Sequence, residues 1–370
     1  MSHVVVVGSG VIGLSVAFEL VSNAALRPTS LCIIGQHFPR DEPVSHEFTS
    51  PWAGAHFRPF PHRPESYKSD QRESRYTRDT YRALKHVARY HPESSVEFMK
   101  GVDLLEDPSP EYACEGPGFN ADSLDAFRRL CDSELPKDVK MGFEYDTFCL
   151  NAPVYLTFLQ DRVRDLCQHF NVKFELKRMT LSSLQEAFHI YPQTTALFNC
   201  SGNGLQLDGK QDPACFPIRG QTLLVDVPHD TAYAHKTVTH QARDGNWTFV
   251  IKRPAPYGKR SSQYIVGGTK QIGDATVVAR ESDSNAILQR ASVLFPELMV
   301  DGQFSVKRVN VGFRPARYGG SRVELERTDQ GPVVVHCYGF GGMGFETSLG
   351  AALDALRVYQ KAIRPNRAKL

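Results

Sequence analysis

Long apolar runs are missing from this sequence: no stretch reaches about 18 such residues, so no membrane-spanning helix is expected. Charge of one sign is not in excess either. Forty-three basic and 41 acidic residues leave a net charge of +2, which gives no general attraction for nucleic acid or an anionic membrane. The eight cysteines, at positions 32, 114, 131, 149, 167, 200, 215 and 337, include no C-x-x-C pair, so no metal centre or thioredoxin-like motif is expected. A chain of 370 residues can bury a large core without disulfides. The cysteines therefore read as reduced, mostly small buried residues in an intracellular setting. Met1-Ser2-His3 leads directly into Val4–Val7 with no basic stretch, so a secretory leader is not expected. Internal repeats and low-complexity tracts are absent too. With 41% hydrophobic and 23% charged residues, disorder, collagen and coiled coil are excluded. The length suggests two domains or one large α/β unit, at roughly 100–200 residues per domain.

What is present begins at once. Val4–Val7 is a β-branched run without polar alternation, which predicts a strand buried on both faces of a parallel sheet. Gly8-Ser9-Gly10-Val11-Ile12-Gly13 follows, then helix-forming residues to Val21 and a second strand at Leu31–Ile34. Helical patterns are expected near Tyr76–Tyr90, Leu124–Asp132 and Pro153–Phe170. Strands are expected at Val172–Leu176 and Thr195–Cys200. Short β-prone runs fill the middle: Thr222–Val227, Trp247–Lys252 and Gln263–Gly267. Val333–His336 predicts one more strand, before a glycine-rich turn and a helix over Thr347–Ala362. Strand-helix units thus stand at both ends with a β-rich block between them. That pattern predicts a nucleotide-binding domain interleaved with a substrate domain, the ligand lying where they meet.

The G-x-G-x-x-G has the context it needs, with a strand before it and a helix after it. Gly8 permits the tight turn, Gly10 lets backbone approach a pyrophosphate, and Gly13 lets the helix pack close to the sheet. The free N–H groups and positive dipole of the helix start then favour phosphate. One element departs from the pattern. The second strand ends in Gly35-Gln36 rather than in an acid for the ribose, and the nearest acids are Asp41 and Glu42.

Six motifs fall in order: VVVVGSGVIGLS from Val4, TSPWAGAHF from Thr49, PIRGQT from Pro217, GGTKQ from Gly267, VGFRPAR from Val311 and HCYGFGGMG from His336. Together they resemble the D-amino acid oxidase family, over nearly the whole chain from Val4 to Gly350. The resemblance implies an α/β fold in which a Rossmann-like domain holding non-covalent FAD is interleaved with a β-rich substrate domain. Residues 1–55, 150–215 and 325–362 fall in the first, 56–149 and 216–324 in the second, and 363–370 form a tail. It implies oxidation of a D-amino acid by hydride transfer from Cα to flavin N5, with dioxygen reoxidising the flavin to give hydrogen peroxide. The imino acid then hydrolyses to the 2-oxo acid and ammonia. Gly8, Gly10, Val11 and Ile12 would line the pyrophosphate, and Thr49, Ser50, Trp52, Ala53 and Gly54 would lie along the flavin. Arg178 and Met179 follow the strand that meets the adenine side. Gly341, Gly342, Gly344, Phe345 and Glu346 match a second flavin-contacting segment, in which Gly342 also counts with the reacting groups.

Arg314 in GFRPAR matches the family arginine that grips the α-carboxylate. A planar guanidinium suits that task because it binds a carboxylate bidentately and stays charged. A flavin that takes the hydride relieves the protein of supplying a strong acid or base. The family's clamp tyrosine falls at Phe249, which has no hydroxyl; Tyr264, on a strand face shared with Lys270 at period two, is one substitute. Lys270 follows GGT where the acidic branch of the family carries a cation and the neutral branch an aromatic residue. A cation in a pocket calls for an anion, which the side-chain carboxylate of the substrate supplies. His56 and Arg243 fall in segments near the same side of the flavin. Together these residues favour D-aspartate, with D-glutamate second. The alternatives are an oxidase of neutral D-amino acids or glycine-like secondary amines, a nicotinamide-dependent dehydrogenase on the same fingerprint, and a non-enzymatic FAD-binding module. The C-terminal Ala368-Lys369-Leu370 resembles a peroxisomal address read by an import receptor. Self-association stays open, since no heptad or large apolar stripe decides it.

Overall fold

The structure, a computed structural model, describes residues 2–63, 65, 68–328 and 331–363. Ala368-Lys369-Leu370 lies outside the described residues.

His3–Val7 is fully buried because it is the inner strand of a six-stranded sheet. Ser30–Gly35 and then Lys173–Arg178 lie on one side of it. Thr194–Asn199, Val333–Tyr338 and Arg322–Arg327 lie on the other. All neighbours are parallel except the last two strands, which form an antiparallel pair. Alternation sends Val4 and Val6 into the larger core, with the helices Val11–Ser22, Ala152–His169 and Gly344–Ile363. Val5 and Val7 point the other way, packing with Leu184 and Ala187 of a short helix. The apolar Val4–Val7 run is thus the signature of a strand covered on both faces.

The second sheet is larger and mostly antiparallel. Its path runs Gln271–Ile272, Cys215–Asp226, Gln263–Gly267, Trp247–Lys252, Lys236–Gln241, Glu97–Leu105, Met141–Cys149, Arg128–Arg129. Cys215–Asp226 is the organising strand. Gln263–Gly267 and Gln271–Ile272 pair with successive stretches of it, and the 12-residue strand Val306–Arg317 pairs with it separately.

The segment that crosses between the sheets is stitched to the second. Thr49 donates its hydroxyl to the Phe313 carbonyl at 2.7 Å. The Leu150 amide reaches the Ala55 carbonyl, and the Phe57 amide reaches the Phe148 carbonyl. His56 makes an isolated bridge with Cys149. The helix Asp70–Tyr90 crosses Gly344–Ile363, where the Tyr76 hydroxyl donates to Asp354 at 2.6 Å and the Gly350 amide donates to Thr80.

The helix expected over Leu124–Asp132 does not form. Ala126 takes a left-handed turn at φ 51°, and Arg128–Arg129 add a short strand to Met141–Cys149. Arg128 is held there by Glu134 and Glu144. Leu124 and Phe127 still pack into the main core, so their helix-like spacing records burial rather than helix. The strands Glu97–Leu105, Met141–Cys149 and Val306–Arg317 and the helix Glu281–Leu294 carried no clear signal. All eight cysteines are free, five of them buried.

A Cβ at Gly350 would fall on the Tyr76 backbone. Gly350→Ala should force the two helices apart and cost about 1–3 kcal/mol as overpacking. Calorimetry should show Tm lower by about 2–12 °C, from roughly 2–4 °C per kcal/mol in a large domain.

Candidate active site

The glycine turn is required by the protein's own backbone before any ligand is considered. Gly8 has φ 108°, and a side chain there would collide with the Cys200 carbonyl; one at Gly13 would collide with the Gly8 carbonyl. Gly10 caps the helix Val11–Ser22 without a side chain. A Cβ on it would stand 2.9 Å from the Ser50 hydroxyl oxygen, which accepts the Val11 amide at 3.1 Å. Two segments named from the sequence, at Gly10-Val11-Ile12 and at Thr49-Ser50, therefore form one wall. Gly344 opens the last helix, and a Cβ there would touch Val11. The 3-10 turn Gly341–Met343 and the following Phe345 thus meet the first helix at its N-terminal end. These N–H-rich, side-chain-free edges at the carboxyl ends of parallel strands fit a dinucleotide.

Farther along the strand ends, Arg178 forms a paired salt bridge to Asp41, with one bond at 2.7 Å, and also reaches the Gln36 carbonyl at 3.0 Å. The Arg178 guanidinium holds the Asp41 carboxyl below its ordinary range. Asp41 thus stands beside the end of Ser30–Gly35, where an acid was missing from the strand itself. The Met179 amide donates to the Gly35 carbonyl, and its side chain packs into the smaller core. Trp52 donates its indole N–H to the Ser45 carbonyl at 3.0 Å and lies against Gly312. Ala53 packs on the main core, and Gly54 lies beside Ile251 and Phe249.

Arg314 sits on Val306–Arg317, opposite Ile218. Its guanidinium lies over Gly220, where a Cβ would come within 2.6 Å of both terminal nitrogens. One of those nitrogens donates to the Thr269 carbonyl at 3.2 Å. Gly342 lies against its side-chain stem, so the glycine turn and the arginine are neighbours. Burial lowers the Arg314 pKa, and no carboxylate pairs with it among the described residues. Arg219, in the same PIRGQT motif, has the opposite fate. It is fully buried and saturated by Asp283, Gln271, Gln221 and two carbonyls.

Lys270 is presented by an interruption in the sheet. Thr269 is tied to Gln221 through its amide and hydroxyl, and Gln271 to Arg219 and Asp283. The residue between them makes none of these bonds, and its side chain is exposed. Asp274, a competing partner, pairs instead with Arg280. Desolvation by the surrounding walls, then the guanidiniums of Arg314, Arg63 and Arg58, push the Lys270 pKa down. It too lacks a carboxylate partner among the described residues. His56 lies in the crossing segment with its Nδ1 buried and unpartnered. Burial, assisted by the Arg58 charge, pushes its imidazole down to about 3, so it is neutral at working pH.

Two expectations change. Arg243 is exposed on the turn after Lys236–Gln241 and pairs with Glu106 at 3.4 Å, which also accepts its amide. Tyr264 turns inward, its hydroxyl oxygen accepting from the Thr231 hydroxyl at 3.2 Å, and belongs to the core of the second sheet. Phe249 packs its ring on Gly267 and Gly268, filling the space their missing side chains leave.

Arg58 carried no sequence signal. Its Nε bonds Asp103 at 3.2 Å and its Nη2 the Tyr112 hydroxyl at 2.9 Å, while its amide donates to Glu346 at 2.9 Å. Burial opposes the Arg58 charge, but Asp103 and the neighbouring phenols raise its pKa overall. The Glu346 carboxyl is thereby engaged with the crossing segment, and burial pushes it up to about 8 despite the Arg58 amide.

Residues 3–355 match the FAD dependent oxidoreductase family (DAO). The chain is 37% identical to a D-aspartate oxidase of Talaromyces thermophilus, over 95% of this chain and 93% of that one. It is 32% identical to a D-amino-acid oxidase of Schizosaccharomyces pombe, over 95% and 94%. Among solved structures, glycine oxidase from Geobacillus kaustophilus aligns with a TM-score of 0.70 at 15% identity, covering 99% of this chain and 96% of that one, a likeness of fold.

Glu346 binds its proton more tightly when folded than its ordinary carboxyl pKa of 4.5 allows. Its contribution to stability is therefore full below that pH and is lost as pH rises through about 8. Glu346→Gln keeps an acceptor for the Arg58 amide and removes the titration. Its Tm should fall less steeply than the parent's between these pH values in a calorimetric series.

Proposed function

Because the chain belongs to the FAD-dependent oxidoreductase family, FAD is its cofactor, and we propose that it oxidises acidic D-amino acids, D-aspartate ahead of D-glutamate. The observation that carries this reading is the pair of neighbouring cations, Arg314 and Lys270, each without a carboxylate partner among the described residues. A dicarboxylic amino acid brings one anion for each. The Talaromyces relative supports the same substrate class.

The residues have separable tasks. Gly10, Val11 and Ile12 would hold the pyrophosphate, Thr49, Ser50, Trp52, Ala53 and Gly54 the flavin, and Gly341, Gly342 and Gly344 its other edge. Bound FAD supplies the acceptor for the Cα hydrogen and its electron pair, and dioxygen takes those electrons on to hydrogen peroxide. Arg314, held flat by Gly220 and the Thr269 carbonyl, fixes the α-carboxylate through two N–H donors and so orients Cα. Lys270 takes the distal carboxylate. Neutral His56 offers one hydrogen bond without adding charge. The local positive potential also disfavours a protonated α-amine, so the substrate loses its ammonium proton more readily in the pocket than in water. No side chain has to remove the Cα hydrogen as a proton. The released imino acid then hydrolyses to the 2-oxo acid and ammonia. Ala368-Lys369-Leu370 supports a peroxisomal location, where peroxide is handled; deleting it should leave a tagged protein in the cytosol.

Under anaerobic conditions the flavin absorption of the holoenzyme should bleach with D-aspartate and not with L-aspartate. Bleaching faster with D-alanine than with D-aspartate would overturn the acidic reading. Lys270→Met should lower kcat/KM for D-aspartate by about 10–100-fold, the size of a lost charge-assisted contact, and lower it much less for D-alanine.

Arg243 is exposed and already paired with Glu106, which supports a role outside the pocket. Arg243→Ala should change D-aspartate kcat/KM by no more than about threefold, as expected of an exposed pair. A larger selective loss in steady-state assays would bring it back into the pocket.

A further inference from the structure

Lys270 stands exposed among three guanidiniums, and the indole of Trp247 is placed to be its attractive neighbour. Its ring centroid lies 6.0 Å from the Lys270 Nζ and 4.2 Å from the Arg58 Cζ. A π face attracts a cation at such separations. Trp247 begins the strand Trp247–Lys252, and its carbonyl accepts the Gly268 amide at 3.1 Å, two residues before Lys270. The backbone bond and the ring contact thus act on the same short segment. The ring is itself held by Arg58, which Asp103 and Tyr112 fix in place. The indole is still 38% exposed, so it borders open space rather than core.

Resting on the acidic-substrate reading above, we propose that Trp247 is a positioning residue that fixes the spacing between the Lys270 ammonium and Arg314, and so selects the length of the substrate side chain. Arg314 is fixed by Gly220 and the Thr269 carbonyl. With Lys270 held on the indole, the two cations stand at one separation, and a distal carboxylate one methylene farther out meets them poorly. Released from the indole, the four-carbon lysine stem swings to either length, and discrimination falls.

The test uses the full-length holoenzyme with Trp247→Leu, which keeps apolar bulk and removes the π face, and Trp247→Phe, which keeps a π face. Trp247→Leu should bring the D-aspartate to D-glutamate ratio of kcat/KM at least about tenfold closer to unity, with the change in KM rather than kcat. Its loss on D-aspartate should exceed its loss on D-alanine, and Trp247→Phe should retain most of the parent ratio. Calorimetric titration with succinate and glutarate, unreactive dicarboxylates of the two lengths, should show the same loss of discrimination without turnover. An unchanged ratio in Trp247→Leu, an equal loss on all three substrates, or a Trp247→Phe enzyme as undiscriminating as Trp247→Leu would overturn the proposal. A parent enzyme that prefers D-alanine overturns the acidic reading itself, and is seen before any variant is made.

Discussion

A guanidinium buried without a carboxylate is unfavourable, and the two sheets are arranged so that Arg314 carries such a charge where they meet. Its strand, Val306–Arg317, is paired along its length with Cys215–Asp226. Its head group lies over Gly220, the one residue of PIRGQT without a side chain. The same strand is tied to the crossing segment through Thr49 and the Phe313 carbonyl. Gly342, from the other sheet, closes against the arginine stem. The glycines of two separate motifs thus serve one end: they let backbone approach where a side chain would displace the cation.

Many cations near the site are compensated within the fold. Arg219 has Asp283, Arg317 has Asp212, Arg243 has Glu106 and Arg58 has Asp103. Each is neutralised within the fold and can position neighbours without needing a ligand. Arg314 and Lys270, by contrast, are neighbours with a carbonyl and an aromatic face as partners. The negative charge near them does not relieve this. Asp103 is committed to Arg58, and burial favours the protonated form of Glu346. The pocket therefore keeps a net positive potential that only a ligand answers.

The parallel sheet was legible because its evidence is local. Val4–Val7, the glycine turn and the helix after it are contiguous, and each constrains the next. Arg314, Lys270 and His56 were reachable through short motifs carried by resemblance. What escaped depends on long-range pairing. Glu97–Leu105 and Met141–Cys149 mix charged residues with apolar ones, because one face of each meets a core that sequence alone does not display. Arg58 lay one residue beyond the last motif letter read, and its role comes from Asp103 and Tyr112, some 50 positions away. Arg243 was misplaced for the complementary reason. A loop cation six residues from Phe249 looks pocket-bound until Glu106, just past the end of Glu97–Leu105, claims it. The missing ribose acid is a milder case. Asp41 lies six residues past the strand, and only the fold of the loop, with Arg178 beside it, returns it to the strand end.

Uncompensated charge also explains why the pocket should distinguish between anions rather than merely attract them. An amino acid with an apolar side chain satisfies Arg314 and leaves Lys270 as an ammonium facing three guanidiniums, now in a pocket from which the ligand has displaced water. Occupation by such a ligand makes the lysine worse off than an empty, hydrated site does. A dicarboxylic ligand removes both penalties together. Discrimination then comes less from extra attraction to the right substrate than from the penalty the wrong one leaves behind. Such a site need not contact every atom of its substrate; it needs two cations whose separation is held fixed and no carboxylate of its own within reach.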